Sequence, residues 1–198
     1  AAWPGRFDRV LVDAPCSGEG MFRKEPAALA QHDAALVAHC VELGAQILEN
    51  AAALLAPGGI LVYSTCTFAP EEDEGQIAAF LARHPEFSLC NLSGCGFGRP
   101  GEANRAPQPF GAEFCRRIWP ADGGEGHFMA KLQKSAEAEK VCLPRSKPQR
   151  PAKAPAEWTA FAKTCFPQLA DLPVKLAGEW VLLPPVDSEQ LPVGKLRL

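Results

Sequence analysis

Two apolar runs, each leading into a polar stretch with a cysteine, constrain the fold of this chain more than any other feature. Residues 9–14 (RVLVDA) lead to Cys16, and residues 60–64 (ILVYS) lead to Cys66. Continuous apolar runs of this length predict buried strands of a parallel sheet, and a helical pattern follows each of them. The alternation of strand and helix predicts an α/β fold. Because such folds bind ligands at the carboxyl ends of their strands, both thiols and Asp13 are expected at one crevice.

The composition restricts the class of protein. The chain has 198 residues, of which 47% are hydrophobic and 22% charged, which predicts a globular protein with a substantial core. The net charge of −3 argues against a protein that coats nucleic acid with its whole surface, although a local basic patch can still bind phosphate. No apolar run approaches the roughly 20 residues that a membrane span needs, so no membrane partner is expected.

The eight cysteines are predicted to be reduced thiols in a cytoplasmic protein. No CxxC pair occurs, so we expect neither a zinc site nor any other metal centre. A free cysteine is usually a small buried apolar residue. That interpretation is applied to five of the eight, which are Cys40, Cys90, Cys115, Cys142 and Cys165.

The remainder of the chain indicates how it is organised. Further strands are predicted at 87–92, 116–120 and 127–132, and the last two form an antiparallel hairpin that closes the sheet. A stretch rich in Lys, Arg and Pro reads as a linker, and a short helix and two short strands follow it. The chain is therefore predicted to consist of a first domain at residues 1–133, a linker at 134–156 and the start of a second domain at 157–198. Because the chain starts without Met and stops where a strand begins, we expect it to be a piece of a longer protein.

The surroundings of Cys66 favour a reactive thiol. A helix is predicted to open at Pro70, with an acidic first turn over 71–74, and its positive end is expected to lower the pKa of Cys66. A thiolate there is a nucleophile. Asp13 ends an apolar strand, so its carboxylate either contacts a ligand or caps the next turn. Arg23 and Lys24 either hold phosphates of a polynucleotide or form a solvated face.

Two long segments together resemble one family, the Sun-type RNA (cytosine-5) methyltransferases, and within it the bacterial RsmF-like branch. The segments are residues 13–24 (DAPCSGEGMFRK) and 63–72 (YSTCTFAPEE), supported by 57–59 (PGG) and 124–128 (GEGHF). The resemblance covers residues 7–133, and residues 157–198 resemble the start of an RsmF-type C-terminal extension. It implies the C-terminal half of a Rossmann-like methyltransferase sheet, mostly parallel with a closing antiparallel hairpin, followed by the start of a small α+β accessory domain.

The resemblance also implies a mechanism. Cys66 attacks carbon 6 of a cytosine, carbon 5 takes a methyl group from S-adenosylmethionine, and Cys16 helps to remove the carbon-5 proton and to release the adduct. Asp13 and Pro15 are expected beside the methyl donor, with Pro15 also shaping the loop over the flipped base. The residues expected to contact RNA are Ser17, Arg23 and Lys24. The implied substrate is ribosomal RNA first and transfer RNA second.

One part of the family pattern, its glycine-rich donor-binding loop, lies upstream of Asp13 and is not in this sequence. We therefore expect the chain by itself to bind S-adenosylmethionine weakly and to be inactive. We also expect an exposed edge on the sheet, through which two copies could dimerise.

Two other functions stay open at the level of sequence. One is a cysteine hydrolase or acyltransferase with Cys66 as nucleophile and His127 as base, which requires His127 to reach the thiol. The other is a non-catalytic RNA-binding module, in which both thiols are buried and unreactive. Labelling with iodoacetamide at neutral pH separates an enzyme from a scaffold, and a burst of acylation identifies the hydrolase.

Overall fold

The structure is a computed structural model, and it describes residues 3–107, 109–139, 155–172, 174–177 and 180–182. The chain divides into two compact units, residues 1–142 and 143–198. Cys142 and most of the predicted linker lie outside the described residues.

The first unit is an α/β arrangement built on one mixed sheet. Its elements are β1 (Phe7–Asp13), α1 (Pro26–Gln31), α2 (Ala34–Leu54), β2 (Leu55–Thr65), α3 (Glu74–Arg83), β3 (Phe87–Leu89), β4 (Arg99–Pro100), β5 (Arg116–Ile118) and β6 (His127–Lys134). The strand order is β1-β2-β6-β5-β4, with β3 also paired to β6. β1 and β2 are parallel, whereas β6 runs antiparallel to β2, β3 and β5. The predicted hairpin is therefore the pair β5–β6.

The long helix α2 covers the sheet and connects the two parallel strands. Its first turn is capped by Asp33, whose carboxylate accepts the backbone N–H of Leu36 at 2.7 Å. Leu48 and Ala51 lie on its buried side and join a core that includes Leu61 of β2. Burial of this apolar stripe against the sheet is what stabilises the crossover between β1 and β2.

The register of the two parallel strands determines where the site lies. Asp13 is paired with Ser64, so β1 and β2 end side by side. The backbone N–H of Ala14 extends this pairing by donating to the carbonyl of Ser64 at 2.9 Å. The chain segments that follow the two strands consequently start next to each other.

The helix predicted to open at Pro70 begins later, at Glu74. Residues 70–73 form a turn in which the N–H of Gly75 donates to the carbonyl of Pro70 at 2.7 Å. The prediction of its start was wrong because the side chains before Glu74 bind distant parts of the chain instead of starting a helix. Ile77 and Phe80 of α3 are buried in the core, as the helical spacing predicted.

The second unit contains α4 (Ala156–Cys165) and an antiparallel pair of short strands, β7 (Lys175–Ala177) and β8 (Trp180–Leu182). These elements lie where the sequence predicted a helix and two strands. Across the part of the chain that the structure describes, no helix is both long and apolar enough to cross a membrane.

Candidate active site

The two cysteines at the ends of the parallel strands meet. Cys16 Sγ lies 3.3 Å from Cys66 Sγ, and the backbone N–H of Cys66 also points at Cys16 Sγ from 3.3 Å. Both side chains are half-buried. The expected convergence of the two thiols is therefore found, because the register of β1 and β2 brings the segments after them together.

The contact shifts the pKa values of the two thiols in opposite directions. The hydrogen bond from Cys16 lowers the pKa of Cys66 to about 7, against the opposing effect of burial. The same hydrogen bond, with burial adding to it, raises the pKa of Cys16 well above its usual range. Cys16 therefore keeps its proton and donates it toward Cys66. A large share of Cys66 is thiolate at neutral pH, which is the form that attacks electrophiles.

The sequence attributed the reactivity of Cys66 to the positive end of the following helix. That explanation was wrong, because α3 begins only at Glu74 and the hydrogen bond from Cys16 is the largest cause of the lowered pKa. The sequence signal for a reactive thiol was present, but its physical cause lies in another part of the chain.

Asp13 and Pro15, the residues predicted beside the methyl donor, are both exposed. Asp13 ends β1, and Ser64 Oγ lies 3.5 Å from its Oδ1, a contact too long to restrain it strongly. The negative charge of Asp13 raises the pKa of Cys66 and so works against the hydrogen bond from Cys16. Within the described residues, an accessible carboxylate thus lies near the thiols with only this long contact to the protein.

Ser17 is placed differently from what was expected. Its side chain is 3% exposed, its Oγ lies 2.8 Å from Thr67 Oγ1, and its N–H donates to Glu72 Oε2 at 2.9 Å. The predicted RNA contact of Ser17 is corrected to a structural one, because its polar groups are satisfied inside the protein.

Two carboxylates that the sequence did not single out hold the loops around the thiols. Glu72 accepts the N–H of Ser17, and Glu19 Oε2 accepts the N–H of Phe68 at 2.8 Å. Each carboxylate belongs to one of the two segments that carry the family resemblance and binds the other. That both segments contain acids was visible in the sequence, but their pairing was not.

Of the acidic run predicted as the first turn of a helix, Asp73 is the N-cap of α3 and Glu74 lies in its first turn, but their side chains are buried. Asp73 and Glu74 are fully buried with Arg117 of β5. Arg117 Nε donates to Glu74 Oε1 at 2.8 Å, and Thr65 Oγ1 donates to Asp73 Oδ1 at 2.6 Å. Although burial raises the pKa of Glu74, the hydrogen bonds from Arg117 outweigh it and lower that pKa. This burial was not predicted because the compensating cation lies far away in the sequence.

Arg23 and Lys24 are exposed, and both are paired with Glu125 in the turn before β6. Arg23 Nη2 lies 3.2 Å from Glu125 Oε2 and donates to the carbonyl of Gly124 at 2.8 Å, while Lys24 Nζ lies 3.5 Å from Glu125 Oε1. Exposed pairs of this kind are weak, so both cations are accessible to a phosphate that replaces the carboxylate.

An open groove lies beside the Cys66 segment, with a volume of about 720 Å³, and Phe68, Glu71 and Arg105 are among its lining residues. Phe68 stacks on Trp119 with ring centroids 4.8 Å apart, and Arg105 Nη1 donates to the carbonyl of Phe68 at 2.8 Å. These contacts fix the chain just after Cys66.

No hydrogen bond joins His127 to Cys66 within the described residues, so the arrangement that a Cys–His hydrolase needs is not found there. Of the described residues, no three His, Cys, Asp or Glu side chains form a group that could hold a metal ion.

Comparison with known proteins gives consistent results over the first unit. Residues 1–133 match the profile of the family described as 16S rRNA methyltransferase RsmB/F. The chain is 38% identical to the Ribosomal RNA small subunit methyltransferase B of Salmonella typhi over 136 residues, which is 68% of this chain and 28% of that protein. The chain thus spans little more than a quarter of that relative.

Two solved structures from Pyrococcus horikoshii are also similar. A methyltransferase homologue protein has a TM-score of 0.52 and 32% identity, covering 65% of this chain and 39% of its own. NSun6, solved with SFG, has a TM-score of 0.52 and 28% identity, and the match covers 65% of this chain and 30% of the NSun6 chain. These similarities confirm the predicted α/β fold class and the resemblance that the two cysteine segments indicated.

Proposed function

The chain belongs to the 16S rRNA methyltransferase RsmB/F family, and from this membership we propose that it carries the cysteine pair of an RNA (cytosine-5) methyltransferase site. The observation that carries the proposal is the contact between Cys16 and Cys66, in which one thiol is ionised at the expense of the other. A reaction that forms and later breaks a bond to sulfur needs one thiolate to attack and a second group to help it leave.

Cys66 performs the first step. Its thiolate adds to carbon 6 of a cytosine that has left its stack, and the electron pair of the 5,6 double bond makes carbon 5 nucleophilic. S-adenosylmethionine, when bound, supplies the methyl group that carbon 5 takes up.

Cys16 acts in the second step. In the adduct Cys66 is a neutral thioether, so the hydrogen bond that raises the pKa of Cys16 weakens and Cys16 can release its proton. The Cys16 thiolate then takes the proton from carbon 5. The electron pair of that C–H bond rebuilds the 5,6 double bond as the bond from Cys66 Sγ to carbon 6 breaks. The products are 5-methylcytosine, a Cys66 thiolate and a Cys16 thiol.

Asp13 and Pro15 are assigned to contacts with the methyl donor or the cytosine. Both are exposed. In the part of the chain that the structure describes, the carboxylate of Asp13 has only a 3.5 Å contact with Ser64 Oγ, which fits a group that binds a ligand with hydrogen-bond donors. S-adenosylmethionine is the donor that family membership implies. An S-adenosylmethionine analogue (SFG) in one similar structure supports the same choice.

Ribosomal RNA is the proposed substrate, with transfer RNA second. The curated relative is named for small-subunit ribosomal RNA, and this chain spans only part of its length. Arg23 and Lys24 are assigned to phosphate contacts, in which an RNA phosphate replaces Glu125.

Among the described strands β1 has a neighbour on one side only, and a second copy of the chain is proposed to cover its other edge. β1 is the terminal strand of its sheet, and Leu11 within it is 72% exposed. Sedimentation of the 198-residue chain tests this proposal. We expect a dimer that Leu11→Lys dissociates, and a monomer at all concentrations would contradict it.

The function is tested with the full-length protein, its RNA and S-adenosylmethionine. Cys66→Ala is expected to abolish both methylation and the covalent protein–RNA complex seen on a denaturing gel. Cys16→Ala is expected to accumulate that complex because release is blocked. Cys95→Ala, a change at an exposed cysteine outside the site, serves as the control and leaves both unchanged. A covalent complex that persists in Cys66→Ala would refute the assignment.

A further inference from the structure

The two segments that carry the thiols are linked by contacts stronger than the contact between the thiols themselves. We define the Cys16 loop as residues 14–20 and the Cys66 loop as residues 66–73. An S–H group is a weak donor and sulfur a weak acceptor, so the pair of thiols cannot hold two loops in register. The 3.3 Å separation of the sulfur atoms must therefore be imposed by the surrounding backbone.

Two carboxylates make this link, and they do so reciprocally. Glu72 of the Cys66 loop accepts the N–H of Ser17, directly after Cys16, at 2.9 Å. Glu19 of the Cys16 loop accepts the N–H of Phe68 at 2.8 Å and lies 3.2 Å from Thr67 Oγ1. Each loop thus binds the backbone of the other within two residues of a reactive sulfur. Hydrogen bonds to a carboxylate are shorter and stronger than those between neutral groups.

The burial of Glu72 indicates that its position matters. Its side chain is 2% exposed, and burial raises the pKa of its carboxyl group. Within the described residues its Oε1 has no hydrogen-bond partner. A buried carboxyl group with a free oxygen lowers stability, so its bond to Ser17 is the contact that accounts for its presence.

Two further contacts join the Cys16 loop to the Cys66 loop. Ser17 Oγ lies 2.8 Å from Thr67 Oγ1, and the N–H of Gly20 donates to the carbonyl of Cys66 at 2.8 Å. The Cys16 loop therefore cannot move away from the Cys66 loop without breaking bonds at both of its halves.

We propose that Glu19 and Glu72 are positioning residues, which join the two loops and so hold Cys16 Sγ within hydrogen-bond distance of Cys66 Sγ. The use of the Cys66 thiolate in methyl transfer rests on the proposed function, whereas the effect of the two carboxylates on the thiol does not. Neither carboxylate is assigned a contact with substrate or with the reacting atoms.

The test measures the pH dependence of Cys66 alkylation by iodoacetamide, followed by mass spectrometry of the Cys66 peptide in the full-length protein. In the wild-type protein, the midpoint of the rise in alkylation rate with pH is expected at about pH 7. Glu72→Met removes the acceptor at similar volume together with a negative charge that raises the pKa of Cys66. Because the hydrogen bond from Cys16 is the largest cause of the lowered pKa, its loss outweighs the loss of that charge, and the midpoint should rise toward about 8.5, the value of an ordinary cysteine. Glu72→Gln keeps an acceptor oxygen and removes a negative charge that raises the pKa of Cys66. Its midpoint should stay at about 7 or fall slightly.

Glu19→Met provides an independent test, because Glu19 is a quarter exposed and its replacement is less disturbing to the core. The same upward shift is expected there, which keeps the proposal testable if Glu72→Met does not fold. The matched control is Glu71→Met, a change of an exposed acid next to Glu72, and it should leave the midpoint unchanged.

A double-mutant cycle shows whether the effect passes through Cys16. In a Cys16→Ala background the donor is already lost, so Glu72→Met should raise the midpoint no further. An upward shift of equal size in that background would overturn the proposal, as would folded Met variants that keep the wild-type midpoint. Because the labelling needs neither RNA nor methyl donor, these outcomes are independent of the covalent RNA complex that tests the proposed function.

Discussion

Cys16 Sγ lies 3.3 Å from Cys66 Sγ although 50 residues separate the two cysteines in the chain. The parallel register of β1 and β2 produces this contact, since Asp13, the last residue of β1, pairs with Ser64 next to the end of β2. The contact raises the pKa of Cys16 and lowers that of Cys66, so it favours the thiol of Cys16 and the thiolate of Cys66. Two identical side chains thus acquire different chemical roles from their surroundings alone.

The first prediction concerns the donor in this contact. Cys16→Ala removes the hydrogen bond that lowers the pKa of Cys66, so the midpoint for alkylation of Cys66 should rise above about 7. Cys16→Ser retains an O–H donor and should keep the midpoint low. At pH 7 the Ala variant should therefore react more slowly with iodoacetamide than the Ser variant. Equal midpoints in the two variants would contradict the assigned donor.

The second prediction concerns oxidation by hydrogen peroxide. The Cys66 thiolate is expected to be oxidised to a sulfenic acid with release of hydroxide. The neighbouring Cys16 thiol then displaces water and forms a disulfide. Mass spectrometry without reductant should find a peptide pair joined through Cys16 and Cys66, and dithiothreitol should separate it. In Cys16→Ala the oxidation should instead continue to sulfinic acid, because the thiol that contacts Cys66 Sγ has been removed.

The sequence predicted those features of the fold that depend on local pattern. The apolar runs before Cys16 and Cys66 form the parallel strands, and α2 occupies the stretch with helical spacing. Convergence of the thiols followed from a general rule about parallel strands, without knowledge of a single side-chain contact.

The sequence did not predict features that depend on distant partners. Glu72 and Glu74 were predicted only as acids at a helix start, and their burial and pairing were missed because their partners Ser17 and Arg117 are 55 and 43 residues away in the chain. The cause of the lowered pKa of Cys66 was missed for the same reason. Local sequence shows which residue types are present, whereas burial and pairing arise only in the folded chain.

The third prediction tests the close packing of the two loops at Gly20. A Cβ atom at this position would lie 2.7 Å from the carbonyl oxygen of Cys66 and 2.9 Å from that of Gly126. Both obstacles are backbone atoms, so Gly20→Ala should separate the loops and lower the free energy of unfolding by about 1–3 kcal/mol. The midpoint of thermal unfolding should fall, and less of the covalent protein–RNA complex should form.

Gly94→Ala is the matched control for Gly20→Ala, because no atom lies within 4 Å of the added methyl group. Its thermal midpoint should be unchanged or slightly raised, since alanine restricts the unfolded chain more than glycine does. If both variants melted like the wild type, the prediction that close packing at Gly20 affects stability would be wrong.

The fourth prediction concerns Arg117, the buried cation in β5. Arg117 is fully buried, donates to Glu74 and forms an ion pair with Asp73 at 2.8 Å. Arg117→Met would leave two carboxyl groups buried without a cation, which should lower the free energy of unfolding by about 3–5 kcal/mol. Arg116→Met is the matched control, because Arg116 is similarly buried but donates to the backbone carbonyls of Glu113 and Cys115.

The loss caused by Arg117→Met should depend on pH, and the pKa of Glu74 gives the sign. In the wild type the pKa of Glu74 is lowered by Arg117, so this carboxylate contributes stability above its unfolded pKa of about 4.3 and loses it as the pH falls through its folded value. The variant lacks that contribution. The difference in denaturant midpoint between wild type and Arg117→Met should therefore be largest at neutral pH and shrink toward pH 4 and below. For Arg116→Met the difference should not vary with pH in this range, because the partners of Arg116 among the described residues are backbone carbonyls and not carboxylates. A loss of equal size at both pH values for Arg117→Met would show that packing against Trp119 and Phe128, and not charge, is what Arg117 contributes.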